Sequence, residues 1–295
     1  MNKAQHLMAV ASWEDRFEDG VKQSLVSRVV EAVTVFYSRE YSSWTHSRRA
    51  AVARACQDKD IPFRQIEFSM TAPSDAWFIL RDSTLALSGA SNVLLDISTM
   101  PRDILWSLLL LLTQRQVGVE YLYYKPDTYN KEWLSRDPQR PRLIYKLSGE
   151  MQLGRSTALI ITTGYDVERT RQLIRFYEPK AVFLGIQVGE QFGNQIQNAG
   201  SHKEGLSEEY QEFNVQEFPI DAYSPAHGAN EVLSIAQECV KTHNVVMSSL
   251  GPKLTAIALF NVCQRSPECA LTYAPSGEFN ERYSLGTSSC ISGTI

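Results

Sequence analysis

The stretch NVLLDISTMPRDILWSLLLLLTQR (residues 92–115) decides the fold. Its opening is a short unbroken apolar run, the pattern of a strand buried on both faces. A turn of a few polar residues follows, then Pro101, which suits a first helical position because its fixed φ and missing N–H cost nothing there. The apolar segment behind it is long enough for a buried helix. The same design recurs as NVVMSSLGPKLTAIALFNVCQR (residues 244–265), with the same Asn-Val opening, a turn into Pro252 and Lys253, and the same closing Gln-Arg.

Working outward from these two copies, the chain alternates strand and helix. Strands are expected at 6–11, 29–37, 63–68, 92–97 and 119–124, with helices at 47–58, 76–87 and after Pro101. The order restarts with strands at 157–162, 180–188, 215–220, 244–248 and 269–274 and helices at 167–177, 230–242 and 252–264. This is the signature of an α/β protein with mostly parallel sheets flanked by helices. Residue-number offsets between the halves stay near-constant: 151 from Ala9 to Ile160 and from Arg64 to Val215, 152 from Asn92 to Asn244, 150 from Tyr124 to Ala274. That constancy points to an internal duplication with pseudo-two-fold character. Expected boundaries are a first unit at 1–126, a Pro- and charge-rich connector at 127–156 with a short strand at 142–147, a second unit at 157–283 and a tail at 284–295. The Gly-, Asn- and Gln-rich insert 187–211 has no counterpart in the first half and reads as a surface loop or a lid.

Composition excludes several classes. Hydrophobic residues make up 43% of 295 and charged residues 21%, so there is ample core. A net charge of -4 and a pI of about 5.8 speak against a broad nucleic-acid-binding surface. The longest apolar run, 104–112, is about half a membrane span, and the first residues are too short an apolar run for a secretory signal. Five cysteines without a CxxC pair suit a reducing cytoplasm. The five histidines show no ligand spacing, so no metal site and no cofactor are expected. GxGxxG and GxxxxGK[ST] are absent, and Ser248 or Ser249 with Lys253 gives SxxxK spacing rather than SxxK, so no catalytic residue is assigned.

Ligands of open parallel sheets bind beyond the carboxyl ends of the strands, where strand order reverses. Four stretches are expected there: 12–16, 98–102, 163–169 and 248–253. Ser249 precedes a turn in which Gly251 permits a tight bend with exposed amides, ahead of a helix amino end. Lys253 there, like Arg102 in the first half, is a cation in a first helical turn, a place where the helix dipole disfavours it unless an anion is bound. Both residues read equally as chains that reach to solvent. Ser98 and Thr99 read first as N-caps, with a ligand phosphate as the alternative. Trp13 and Tyr165 follow the first strand of each half and could stack on a base, although burial in a seam between units accounts for them as well. Ser12, Arg16, Thr163 and Gly164 complete the candidate ligand set.

At AVASWEDRF, IITTGYDVER, DISTMPR, SSLGPK and the closing YLYYKP and LTYAP, the chain resembles the CARF and SAVED families of prokaryotic antiviral systems, Rossmann-like sensors of cyclic nucleotide messengers. The resemblance implies two tandem Rossmann-like, CARF-like units and a cyclic oligonucleotide, a phosphorylated nucleotide ligand, held in a cleft. It also implies a separate effector protein or complex, since both halves use up the chain. A ring-nuclease-like phosphodiesterase and a non-catalytic scaffold subunit are the alternatives.

Overall fold

The chain alternates elements as its apolar pattern requires. The computed structural model describes residues 5–87, 91–130, 132–188 and 195–295, with the backbone alone at 195–199. In chain order the elements are β1 (Gln5–Val10), α1 (Asp15–Ser27), β2 (Val30–Ser38), α2 (Ser42–Gln57), β3 (Phe63–Phe68), α3 (Pro73–Ser83), β4 (Asn92–Asp96), α4 (Arg102–Gln114), β5 (Gly118–Tyr124) and β6 (Thr128–Tyr129). There follow β7 (Ser135–Pro138), β8 (Arg142–Ser148), β9 (Thr157–Thr162), α5 (Val167–Tyr177), β10 (Ala181–Gln187), α6 (Gln195–Gly205), α7 (Ser207–Glu212), β11 (Asn214–Ile220) and α8 (Ala229–Cys239). The chain then runs through β12 (Asn244–Ser249), α9 (Lys253–Arg265), β13 (Ala270–Tyr273), β14 (Ser276–Phe279), β15 (Ser284–Leu285) and β16 (Cys290–Thr294).

Two six-stranded sheets result, ordered β16-β5-β4-β1-β2-β3 and β8-β13-β12-β9-β10-β11. Five strands of each run parallel, and the sixth, β16 or β8, closes one edge antiparallel. Strand order therefore reverses at β1 in the first sheet and at β9 in the second, beside β4 and β12. These crevices are where the quoted stretches turn into α4 and α9.

Continuous apolar strands fill each core. Leu7, Ala9, Val33, Val35, Leu94 and Leu122 pack on Phe17 and Val21 of α1 in the first unit. Leu159, Ile161, Val182, Leu184 and Val246 pack on Leu173 and Ile174 of α5 in the second. All of Ile104, Leu105, Trp106, Leu108, Leu109, Leu110, Leu111 and Leu112 on α4 are buried. Each such Leu contributes on the order of 1.5 to 3 kcal/mol of burial.

The chain divides into compact units elsewhere than at the expected boundaries. One unit is Met1–Leu134 with Asn280–Ile295, the other Ser135–Phe279. The expected tail is structured: β15 pairs with β6 and β16 with β5. The expected connector supplies β6, β7 and β8, of which β8 is the antiparallel edge of the second sheet. In the insert, residues 195–212 form α6 and α7 rather than a loop, while 189–194 lie outside the described residues. Helix α7 is fastened by charge, with Arg175 bonded to the buried Glu209 at 2.8 Å. Among the described residues no helix is long and apolar enough to cross a membrane.

One loop cluster gives the first unit a pH signature. The Glu40 carboxylate, just after β2, accepts from Ser38 Oγ (2.6 Å), Ser69 Oγ (2.5 Å), the Met70 amide (3.2 Å) and Thr71 Oγ1 (3.3 Å). Partial burial pulls this carboxyl upward, but the converging donors outweigh it and hold the group at about 2, below its ordinary 4.5. A depressed folded-state value means stabilisation present above about 4.5 and lost as pH falls from there towards 2. Glu40→Gln is expected to flatten the fall in stability across that window, read by urea unfolding at several pH values. Equal slopes for the two proteins would refute the assignment.

Candidate functional site

In the first unit the loops after β1 and β4 meet at the switch point, where Thr99 Oγ1 donates to the Val10 carbonyl at 2.7 Å. The hydroxyls expected as caps are otherwise engaged. Ser98 Oγ donates to Asp96 Oδ1 (2.5 Å) and accepts from the Tyr124 amide (2.8 Å), and the Ser98 amide also donates to Asp96 (2.9 Å). In the first turn of α4 the Ile104 amide donates to Asp103 Oδ1 (2.9 Å). Pro101 itself is the N-cap, in an extended conformation (ψ 145°), so the helix starts at Arg102, one residue later than a proline at the first helical position requires.

Arg16 sits inside the first unit, 2% exposed. Its Nε donates to Glu14 Oε2 (3.0 Å), its Nη1 to the Tyr124 carbonyl (3.5 Å), and its guanidinium lies 6.0 Å from the Tyr129 ring centroid. Burial works against this charge, but the Glu14 carboxylate together with the Tyr129, Tyr123 and Tyr283 hydroxyls outweighs it and pushes the guanidinium further above its ordinary range. Ser12 Oγ accepts from the Glu14 amide (3.2 Å) and faces Glu14 Oε1 (3.4 Å), while Ser284 Oγ donates to Glu14 Oε2. Ser12 and Arg16 thus build a clasp under the loop after β1.

The second unit repeats the clasp with other residues. Asp166 is the N-cap of α5, accepting from the Arg169 amide (3.0 Å) and from Arg169 Nε (2.8 Å). Arg169 Nη1 reaches the Ala274 carbonyl (3.3 Å) as Arg16 reaches that of Tyr124, and Ser135 takes the part of Ser284. In both units an acid and an arginine at the start of the first helix tie it to the end of the fifth strand.

Beside this clasp the second switch point is built from backbone. A Cβ on Gly164 would lie 2.1 Å from the Leu250 carbonyl oxygen, and one on Gly251 2.6 Å from both the Thr163 carbonyl oxygen and Gln187 Nε2. Only glycines let these two loops touch. Leu250 and Gly251 amides donate back to the Thr162 carbonyl (2.8 and 3.0 Å). Thr163 donates to the Gly185 carbonyl through both its amide (2.9 Å) and its hydroxyl (2.8 Å). Ser249 Oγ lies 2.8 Å from Thr255 Oγ1, which also receives Thr162 Oγ1 (2.9 Å) and donates to the Pro252 carbonyl (2.9 Å). Pro252 is an extended N-cap (ψ 146°), α9 has no side-chain cap, and Lys253 opens it. Gln187 ends β10 fully buried; its Nε2 donates to the Thr163 carbonyl (3.1 Å), and its Oε1 has no partner among the described residues.

The candidate residues therefore separate by role. Ser12, Arg16, Ser98, Thr99, Thr163 and Ser249 hold the loops together, and Gly164 and Gly251 bring them into contact. Arg102 and Lys253 are partly exposed at the starts of α4 and α9, and Trp13 and Tyr165, the latter 59% exposed, flank the first strand of each sheet. Sequence reasoning overlooked Glu14 and Asp166 as the partners of buried arginines, and Gln187. Asp166, three residues before Arg169, carried a readable capping signal; Glu14 and Gln187 depend on neighbours that only the folded topology supplies. The buried hydroxyls are spent on the loops themselves, Ser98 on the Asp96 carboxylate (2.5 Å) and Ser249 beside Thr255 (2.8 Å). Among the described residues no group of three His, Cys, Asp or Glu side chains is placed to hold a metal ion.

Two mostly parallel sheets with ligand-type switch points define a Rossmann-like α/β protein. No protein-family model matches the chain, and no curated protein matches it in sequence. Among solved structures it is similar to a Type III CRISPR defence DNA nuclease activated by cyclic oligoadenylate, with TM-score 0.57 and 7% identity over 88% of this chain. The match spans 64% of that nuclease. The cytoplasmic domain of a prokaryotic cation chloride cotransporter aligns with TM-score 0.32 at 11% identity over 95% of this chain and 98% of that one. A universal stress protein from Archaeoglobus fulgidus aligns with TM-score 0.29 at 10% identity over 92% and 97%. The first of these shares the fold.

Proposed function

We propose that the chain is a CARF-like sensor of a cyclic oligonucleotide messenger in antiviral defence, signalling through a separate effector protein, and that its two units arose by duplication. Identical strand order and the repeated acid–arginine–carbonyl clasp support the duplication. What carries the ligand reading is the second switch point: glycine backbones in contact, a helix amino end without a side-chain cap, and Lys253 in its first turn. The Leu250 and Gly251 amides are spent on the Thr162 carbonyl, so it is the amino end of α9 and its dipole that favour an anion, and Lys253 is a cation that an anion would stabilise. The fold shared with a nuclease activated by cyclic oligoadenylate supplies the ligand class. Committed hydroxyls favour binding over cleavage.

Thermal melts with a panel of cyclic oligonucleotides test this reading. One ring is expected to raise the melting temperature by several degrees, as ligand at about a hundred times Kd adds about 2.7 kcal/mol. The ring should be recovered intact. Lys253→Ala is expected to weaken binding roughly tenfold or more, the contribution of a charge-assisted bond. An unchanged affinity would remove Lys253 from the site, and a panel without any shift would overturn the sensor reading.

A further inference from the structure

At the carboxyl end of the first sheet, three large aromatic side chains gather at the surface. Trp13 follows β1, and Tyr41 and Trp44 stand at the start of α2 behind β2. Ring centroids lie 5.3 Å apart for Trp13 and Tyr41, 5.0 Å for Trp13 and Trp44 at an interplanar angle of 85°, and 5.3 Å for Tyr41 and Trp44. Trp44 is 37% exposed, so part of its apolar surface stays in water, where further burial would stabilise it. We propose that this cluster is a stacking platform for a nucleobase of the messenger, with Trp44 offering the open face; the proposal rests on the sensor reading above.

Three observations carry it. The cluster is rigid before any ligand arrives: Trp13 Nε1 donates to the Asn280 carbonyl (3.2 Å), and Arg48 Nε donates to the Trp13 carbonyl (2.9 Å). Arg48 is itself held by Asp15 (2.6 Å) and Glu18 (3.4 Å), so an incoming ring meets a preset surface and little ordering cost. The charged groups around it suit a base rather than a phosphate. Asp15 and Glu18 would repel an anion, and Arg48 already serves both acids, whereas a neutral aromatic ring is indifferent to them. Finally, the position is the ligand end of a parallel sheet, beside the loop after its central strand, where the second unit also presents an aromatic, Tyr165.

Stacking of one base on an aromatic side chain corresponds to about 5- to 150-fold in affinity. The full chain is titrated with the ring oligonucleotide that shifts its melting temperature, as wild type, Trp44→Ala and Trp44→Phe. The expected result is a 5- to 150-fold weaker Kd for alanine, near-wild-type binding for phenylalanine, and a melting temperature of the free phenylalanine variant close to that of wild type. Wild-type tryptophan fluorescence should be quenched on binding, and less so in the alanine variant. Unchanged affinity of Trp44→Ala overturns the platform and leaves the sensor reading standing. A lowered melting temperature with equal weakening in both variants also overturns it, by making Trp44 a packing residue. Absence of any ring binding to wild type removes both.

Discussion

Removal of residues 280–295 is expected to abolish the cooperative unfolding of the first unit while leaving that of the second intact. The segment closes an otherwise open sheet edge, pairing Cys290 through Thr294 with Tyr124 through Glu120. An uncovered strand edge of this kind invites pairing with other chains. On the way the segment ties down α1: the Gly286 amide donates to Asp15 Oδ2 (2.9 Å), Thr287 Oγ1 to Asp19 Oδ2 (2.8 Å), and Ser284 to the buried Glu14. The second unit comprises Ser135–Phe279, to which these residues do not belong. Calorimetry and hydrogen exchange would show one transition lost and protection vanishing from β1, β4 and β5 together. Retention of protection in β5 after truncation would show that the edge strand is dispensable.

The second large effect concerns the buried clasp. Arg16→Ala leaves Glu14, 7% exposed, without its counter-charge, and breaking a buried pair from one side costs about 3 to 5 kcal/mol. A double replacement, Glu14→Gln with Arg16→Met, removes both charges and is expected to recover most of that loss, since an apolar substitute for a buried pair is often close to neutral. Urea unfolding of the first unit measures both. A loss below about 1 kcal/mol for Arg16→Ala, the range of exposed pairs, would mean that solvent reaches the clasp.

Much of this architecture was legible because it is local. Unbroken runs such as LLDI and VVM can only be strands buried on both faces, and the turns into Pro101 and Pro252 announce the helices behind them. Helix starts were less legible, because a proline can serve as N-cap or first helical residue and only the extended backbone before Arg102 and Lys253 decides between them. The edge strand β16 was illegible for a topological reason. Residues 290–294 are small and polar, with no apolar alternation, and their place comes from an unsatisfied edge on β5 far away in sequence. The candidate site shows the same division. Gly251 announced a tight turn, but its amide, expected to be exposed, donates to the Thr162 carbonyl, and the close approach of Gly164 to Leu250 comes from the fold. Ser98 and Thr99 read as helix caps and Arg16 as a ligand residue because Asp96, the Val10 carbonyl and the Tyr124 carbonyl reach them only through parallel pairing and helix packing. The aromatic cluster shows it again, since Trp13 lies in the loop after β1 and Trp44 in the first turn of α2, joined by the β1–β2 register.

The split composition of the first unit sets an order on biosynthesis. Its edge strand leaves the ribosome only after the whole of the other unit, so at about 5 to 20 residues per second it waits on the order of ten to thirty seconds, longer than small domains take to fold. The half translated second is therefore the half completed first, and during that interval the nascent protein exposes the naked flank of β5, where a chaperone or a neighbouring nascent chain would find it.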